Sequence, residues 1–160
     1  MQKAGAKPVK AMMDDVIAEK LDVEKRVSSS KSTFRIADLG CSVGPNTFIA
    51  MQNIIEVVQS KYQSQGFASQ MLEFQVFFND HTSNDFNTFF TSLPPERPYF
   101  ATGVPGSFHG RLFPNSSLDF VHSSYALQIL SKVPKELLNK NSAAWNKGRV
   151  HYASAPDEVA

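Results

Sequence analysis

The sequence has 160 residues, of which 42% are hydrophobic and 19% charged, enough apolar material for one folded domain with its own core. Its net charge of +1 is dispersed along the chain, so we expect neither nucleic acid nor an anionic membrane as a partner. No apolar run approaches the roughly 20 residues of a membrane span, and the N-terminus lacks a signal or transit pattern, which favours a cytoplasmic protein. The single Cys41 excludes an internal disulfide, and the four histidines lack zinc-site spacing.

The predicted elements alternate between helix and strand. In chain order they are a helix over 11–25, a strand over 34–39, a helix over 47–62, a strand over 72–78, a helix around 86–90, strands over 99–104 and 118–122, and a helix over 125–131. This alternation is typical of an α/β fold with a parallel sheet and crossover helices. Ligands of such folds bind beyond the carboxyl ends of the strands.

Glycines follow the first predicted strand directly. Asp38 ends that strand, and Gly40 and Gly44 precede the next helix. Glycines let the backbone approach a ligand, and a strand-terminal carboxylate can receive its cationic or hydroxyl groups. The spacing is neither G-x-G-x-x-G nor that of a phosphate loop, which disfavours dinucleotides and nucleoside triphosphates. A zwitterionic ligand fits this loop better, and from the glycines alone a turn without a ligand is an equal alternative.

A second acid, Asp80, ends the second predicted strand. A carboxylate there can accept two hydrogen bonds from a ribose diol, although a helix cap or turn is the commoner role of a lone Asp. Because the carboxyl ends of adjacent parallel strands share one edge, we expect Asp38, Asp80 and the loop from Gly40 to Asn46 to line one pocket on one face of the sheet.

Five sequence blocks resemble the plant SABATH family of S-adenosylmethionine-dependent carboxyl and N-methyltransferases, in the family's order and over essentially the whole chain. They are IADLGCSVGPNT, FQVFFNDHTSNDFNTFF, YFATGVPGSFHGRLFP, LDFVHSSYALQILSKVP and WNKG. The resemblance implies a Rossmann-like class I methyltransferase sheet, with residues 1–160 forming the N-terminal part of a single domain. Family members are more than twice this long, so we expect the C-terminal strands and the helical cap over the acceptor pocket to be absent.

The resemblance also implies the residues that bind the cofactor, S-adenosylmethionine. Those around its methionine part are Asp38, Gly40, Cys41 and Asn46; Asp80 takes the ribose hydroxyls; and His81, where the family usually has Leu, lies beside the adenosine with Ser107 and Phe108. Phe108 has a core position as its alternative. Asn146 matches a position assigned in the family to Mg²⁺, which makes magnesium a second candidate cofactor, although a lone Asn in a turn is more often structural.

The implied acceptor pocket departs from the family pattern. Tyr125 is kept, Gln128 replaces the usual His or Met, and Ile129 replaces a Trp. An indole N–H can donate a hydrogen bond to a carboxylate and Ile cannot, so the identity of the acceptor acid does not carry over. Ile129 as a core-facing helix residue is an open alternative. Gln2 matches the family's early glutamine that meets the acceptor carboxylate.

The function implied by the resemblance is methyl transfer to the carboxyl group of a small plant metabolite. Such a group is ionised near neutral pH, so alignment and desolvation would carry the reaction, and we expect no acid–base dyad. Two alternatives are a non-catalytic relative that only binds the cofactor or a full-length partner, and a nicotinamide oxidoreductase of the same fold class, against which the loop spacing argues. An open sheet edge after the fourth strand favours a homodimer. Without the cap and the Trp, we expect the 160-residue chain to have no appreciable methyltransferase activity.

Overall fold

The computed structural model describes residues 6–29, 32–69, 72–129, 132, 135–142 and 145. The chain divides into two compact units, Met1–Ala126 and Leu127–Ala160. The first unit contains, in chain order, α1 Ala6–Lys20, α2 Val23–Ser28, β1 Thr33–Leu39, α3 Pro45–Ser64, β2 Glu73–Asp80, α4 Phe86–Thr91, β3 Phe100–Pro105 and β4 Phe120–Ser123. The second contains α5 Lys135–Leu138. All four predicted strands are confirmed, with bounds shifted by at most two residues.

Two helix predictions are wrong in part. The helix predicted over 11–25 is two helices, because Asp22 interrupts the run and caps α2 by accepting the Lys25 backbone N–H at 2.9 Å. The helix predicted from residue 125 onward is absent at residues 125–129, which form turns. Tyr125 has a φ of +59°, which lies outside the helical region.

The sheet of the first unit has four parallel strands in the order β3-β2-β1-β4, as the predicted α/β class requires. Asp38 pairs in register with Phe78 on β2 and with His122 on β4, so the three side chains share one face. That face is buried under α3 and α4, where the ring of Phe78 lies 6.2 Å from Phe48 and 4.7 Å from Phe89, centroid to centroid. Because the strands are parallel, their carboxyl ends lie at the same end of the sheet, beyond this apolar core.

The opposite face of the sheet is only partly covered. Phe113 packs on Phe77 with ring centroids 5.6 Å apart, while Phe100 and Val121 are exposed. Among the described residues, β3 and β4 form the two edges. No helix in the described part of the chain is long and apolar enough to cross a membrane.

A buried ion pair joins α2 to the segment that enters β4, at the amino ends of the strands. The Arg26 guanidinium pairs with the Asp119 carboxylate, and it donates to the Thr33 carbonyl at 3.0 Å and to the Tyr62 hydroxyl at 3.2 Å. Asp119 also accepts the Arg35 backbone N–H at 2.8 Å. Each nitrogen of the guanidinium and each oxygen of the carboxylate therefore has a protein partner, so neither charge is buried unpaired.

Candidate functional site

The loop between β1 and α3, residues 40–44, is held close to the ends of the neighbouring strands. The backbone N–H groups of Gly40 and Cys41 both donate to the Asn79 carbonyl, at 2.9 and 3.0 Å. Gly40 has a φ of +81°, and a Cβ atom added there would lie 2.3 Å from the Cβ of Ala126. Glycine meets both conditions without strain. The group that comes close to Gly40 is the chain's own Ala126, and the predicted approach of a ligand to this glycine stays a prediction.

Asp80 ends β2, and its carboxylate faces this loop. Oδ2 accepts the Ser42 backbone N–H at 2.7 Å, and Oδ1 accepts the His81 backbone N–H at 2.7 Å. An ionised carboxylate has about four acceptor positions, so each oxygen keeps capacity for a further donor. The side chain is half-buried and reachable. The predicted proximity of Asp80 to the loop is confirmed, while its contact with a ribose stays a prediction.

Asp38 lies on the same face of the sheet as Asp80, as predicted, but in a different environment. It is buried, its Oδ1 lies 2.8 Å from Nδ1 of His122, and its Oδ2 accepts the hydroxyl of Thr47 in the first turn of α3. Both oxygens are therefore engaged inside the protein. Asp38 therefore connects the two ends of the loop, which are the end of β1 and the start of α3. Its contact with the cofactor stays a prediction.

Cys41 is a buried thiol at the centre of the loop. Burial, together with the negative charges of Asp38 and Asp80, raises the pKa of Cys41 to about 12. The thiol therefore stays neutral at physiological pH and is a poor nucleophile. The position is compatible with packing beside a ligand and not with covalent catalysis.

The N-terminus of α3 opens onto the same edge. Gly44 is the N-cap and offers no side chain to the first-turn amides, Pro45 begins the helix, and Asn46 is exposed in the first turn. The helix has 20 residues, so the positive end of its dipole is directed here. Uncapped amides together with this dipole favour a negatively charged group, such as a ligand carboxylate.

Sequence reasoning missed Asn79, which joins two loops of the site. It is fully buried, and its side-chain amide donates to the carbonyls of Val104 and Gly106 at 2.7 and 2.9 Å. Its own carbonyl receives the two loop amides at Gly40 and Cys41. A polar side chain directly after the apolar run Val76–Phe78 was the signal that could have identified it.

The residues expected beside the adenosine lie at the ends of β2 and β3. Ser107 and His81 are exposed, and Phe108 is half-buried, with its ring tilted by 42° against that of His109 and the centroids 4.7 Å apart. Nδ1 of His81 lies 3.1 Å from the Ser83 hydroxyl. Phe108 therefore lies outside the buried core, which leaves its ring available to a ligand.

The predicted acceptor residues are divided between the two units. Tyr125 lies in the turn after β4 with 90% of its surface exposed. Gln128 and Ile129 belong to the second unit, and both are exposed. Ile129 is not in a helix, so the alternative of a core-facing helix residue is wrong. Gln2 and the candidate magnesium ligand Asn146 lie outside the described residues, and a search of the described ones finds no cluster of three or more His, Cys, Asp or Glu suited to a metal ion.

Comparison with known proteins identifies relatives along the whole chain. The profile of a family described as SAM dependent carboxyl methyltransferase matches residues 1–160. Loganic acid O-methyltransferase of Catharanthus roseus is 54% identical over 99% of this chain, and farnesoic acid carboxyl-O-methyltransferase of Arabidopsis thaliana is 47% identical over 94%. A solved structure, loganic acid methyltransferase with SAH, is 56% identical over 91% of this chain with a TM-score of 0.80. The chain spans 42%, 41% and 41% of these three proteins, respectively.

Proposed function

Because this chain belongs to the SAM-dependent carboxyl methyltransferase family, we propose that it binds S-adenosylmethionine at the carboxyl ends of β1, β2 and β3, in a protein that methylates the carboxyl group of a small acid. The observation that carries the proposal is the hydrogen bond from the Ser42 N–H to the Asp80 carboxylate. It joins the glycine loop to the strand-terminal acid and leaves that acid with free acceptor capacity.

The residues present fit the two polar parts of this cofactor. Asp80 retains acceptor positions for the hydroxyls of a ribose, and the uncapped first turn of α3 suits the carboxylate of the methionine part. Phe108 offers a half-buried ring and Ser107 an exposed hydroxyl at the end of β3. When bound, S-adenosylmethionine supplies the electrophilic methyl group.

The reaction proposed for the protein needs alignment more than proton transfer. An acceptor carboxylate is already ionised near neutral pH, and the neutral thiol of Cys41 offers no competing nucleophile. Tyr125 is the acceptor-side residue that follows β4 directly, so its turn is the place from which the acid would be positioned. Magnesium binding at Asn146, a homodimer and a cytoplasmic location are further parts of this proposal.

Calorimetric titration tests the cofactor assignment. We expect the chain to bind S-adenosylmethionine and S-adenosylhomocysteine (SAH) more tightly than NAD. Asp80→Asn should weaken SAH binding by roughly 10- to 100-fold, because a hydrogen bond to a charged group contributes about 1.5–3 kcal/mol. Asp85→Asn is the matched control, since Asp85 caps α4 and contacts only that helix's first turn. Tighter binding of NAD would reverse the assignment.

Radiolabelled methyl transfer tests the reaction. Loganic and farnesoic acids, the acids named for two relatives, are the first acceptors to assay, followed by other small carboxylic acids. Label in a methyl ester supports the proposed reaction. SAH binding without transfer to any acid favours the alternative of a non-catalytic cofactor binder. From the sequence we expect the 160-residue chain to show no appreciable transfer.

A further inference from the structure

His122 lies at the carboxyl end of β4 and was not identified as a site residue from the sequence. Its Nδ1 is 2.8 Å from Oδ1 of Asp38, and the two side chains are only 12% and 4% exposed. The second Asp38 oxygen accepts the hydroxyl of Thr47 at the start of α3. One carboxylate therefore links three elements: the end of β1, the beginning of α3 and the end of β4.

The proton arrangement of this link follows from the chemistry of its groups. An ionised carboxylate can only accept hydrogen bonds, so Nδ1 of His122 carries the proton that it shares with Asp38. This holds for the neutral imidazole as well as for the charged one. The link therefore does not require His122 to be protonated on both nitrogens.

The segment after β4 is attached to the loop at two more points. The Ser123 hydroxyl donates to the Leu39 carbonyl at 2.9 Å, and Ala126 packs against Gly40 so closely that no Cβ fits there. Tyr125 lies between these two contacts. The turn that carries the acceptor-side tyrosine is thus fastened to the stem of the loop that is proposed to hold the cofactor.

We propose that His122 is a positioning residue for S-adenosylmethionine binding, acting through Asp38 to hold the loop of residues 40–44 in its binding conformation. The inference rests on the proposed function. Without the imidazole, Asp38 keeps only Thr47 as a side-chain partner among the described residues, and a buried carboxylate that has lost a hydrogen bond moves toward water or another donor. The stems of the loop then lose their fixed separation, and Ser42 loses its place beside Asp80.

Two substitutions separate the hydrogen bond from the volume of the side chain. His122→Asn keeps a donor nitrogen at the same number of bonds from the backbone as Nδ1, whereas His122→Leu fills similar space with no donor. Val58→Ala is the matched control, because Val58 is fully buried on the second half of α3, so its truncation creates a cavity and lowers stability without touching the loop. The melting temperatures of all three variants are measured as well, so that SAH affinities are compared between variants that have lost a similar amount of stability.

The expected calorimetric result is a pattern across the variants. SAH affinity should fall about tenfold or more in His122→Leu, which is the effect of one lost charge-assisted hydrogen bond. It should stay close to the wild-type value in His122→Asn and in Val58→Ala, even where the latter melts as low as the leucine variant. Wild-type affinity in His122→Leu, or equal losses in the leucine and asparagine variants, would overturn the proposal.

Amide hydrogen exchange supplies a second readout that needs no ligand. We expect the peptides that cover residues 38–47 and 122–126 to exchange faster in His122→Leu than in Val58→Ala of comparable stability. If the wild type fails to bind SAH, the cofactor assignment falls, and the exchange pattern still decides whether His122 holds the loop. Unchanged exchange in the loop would show that it does not.

Discussion

The two ends of the sheet use the same kinds of polar residue for different purposes. At the amino end, Arg26 is buried and Asp119 is half-buried, and each of their charged atoms is bonded to the protein. At the carboxyl end, Asp80 is half-buried and bonds two backbone amides with one hydrogen bond to each oxygen. The Asp119 carboxylate is paired with a guanidinium, which stabilises one arrangement of the chain, whereas Asp80 accepts only from two neutral backbone amides and can still receive a donor group of a ligand.

The short strand β4 is connected to the rest of the first unit by a side-chain contact at each of its ends. It has four residues and, among the described strands, pairs with β1 alone. So short a ladder has few backbone hydrogen bonds, and side chains at its two ends supply the rest. Asp119 fastens its entry to Arg26, and His122 fastens its exit to Asp38. Substitutions at the two ends should therefore separate stability from affinity.

Breaking the amino-end pair should have the largest effect on stability. Asp119→Ala leaves the Arg26 guanidinium buried without its counterion, which typically costs about 3–5 kcal/mol. We expect a correspondingly lower free energy of unfolding in urea, while the SAH affinity of the folded fraction is unchanged because the pair lies at the far end of the strands.

The double variant Arg26→Met with Asp119→Leu is the control for this pair. Replacing both charges by apolar side chains removes the unpaired charge, so most of the lost stability should return. A double variant as unstable as Asp119→Ala would show that the hydrogen bonds to Thr33, Tyr62 and the Arg35 backbone N–H, rather than the charge, dominate.

A smaller loss is expected at the carboxyl end from Gly40→Ala. The φ of +81° costs an alanine roughly 1–2 kcal/mol, and the forced contact with Ala126 adds about 1–3 kcal/mol of overpacking. Gly66 has a similar backbone conformation, with a φ of +84°, and nothing lies within 4 Å of the added Cβ. Gly66→Ala should therefore show only the conformational cost of the positive φ and no overpacking.

The free energies of unfolding of these two alanine variants are measured by chemical denaturation. Their difference isolates the contribution of the contact between the loop and the turn after β4. SAH affinity should fall in Gly40→Ala and stay unchanged in Gly66→Ala. Equal stabilities would mean that Ala126 moves away without cost, and the close contact would then not position the loop.

Local patterns in the sequence were sufficient for the sheet and insufficient for the links at its ends. Alternating apolar segments and glycines placed the four strands, the loop and Asp80 correctly, since periodicity and turn residues act over a few neighbours. One of the two partners of Asp38 is His122, 84 residues away, and no local pattern specifies such a contact. The helical spacing after Ser124 predicted a helix, and the positive φ of Tyr125 overrides it.

The smallest predicted effect concerns the cap of α4, close to the candidate site but outside it. Backbone and side-chain hydrogen bonds from Thr88 lower the pKa of Asp85 below its usual value of 3.8. Because the folded-state pKa is the lower one, the ionised cap stabilises the fold above about pH 4, and this contribution is lost as the pH falls through the folded-state pKa. Asp85→Asn keeps a good N-cap residue and removes the titration.

We therefore expect the wild type to melt slightly above Asp85→Asn near neutral pH, and the two melting curves to converge as the pH is lowered below about 4. SAH affinity at neutral pH should be the same in both proteins, since the partners of the Asp85 carboxylate among the described residues, Thr88 and the Asn87 backbone, lie in the first turn of its own helix. A melting difference that persists in acid would mean that the size or hydration of the side chain, and not its charge, stabilises α4. A loss of SAH affinity would instead extend the candidate site beyond Asp80 and His81 to the start of α4. Asp85 would then contribute to binding as well as to the stability of α4.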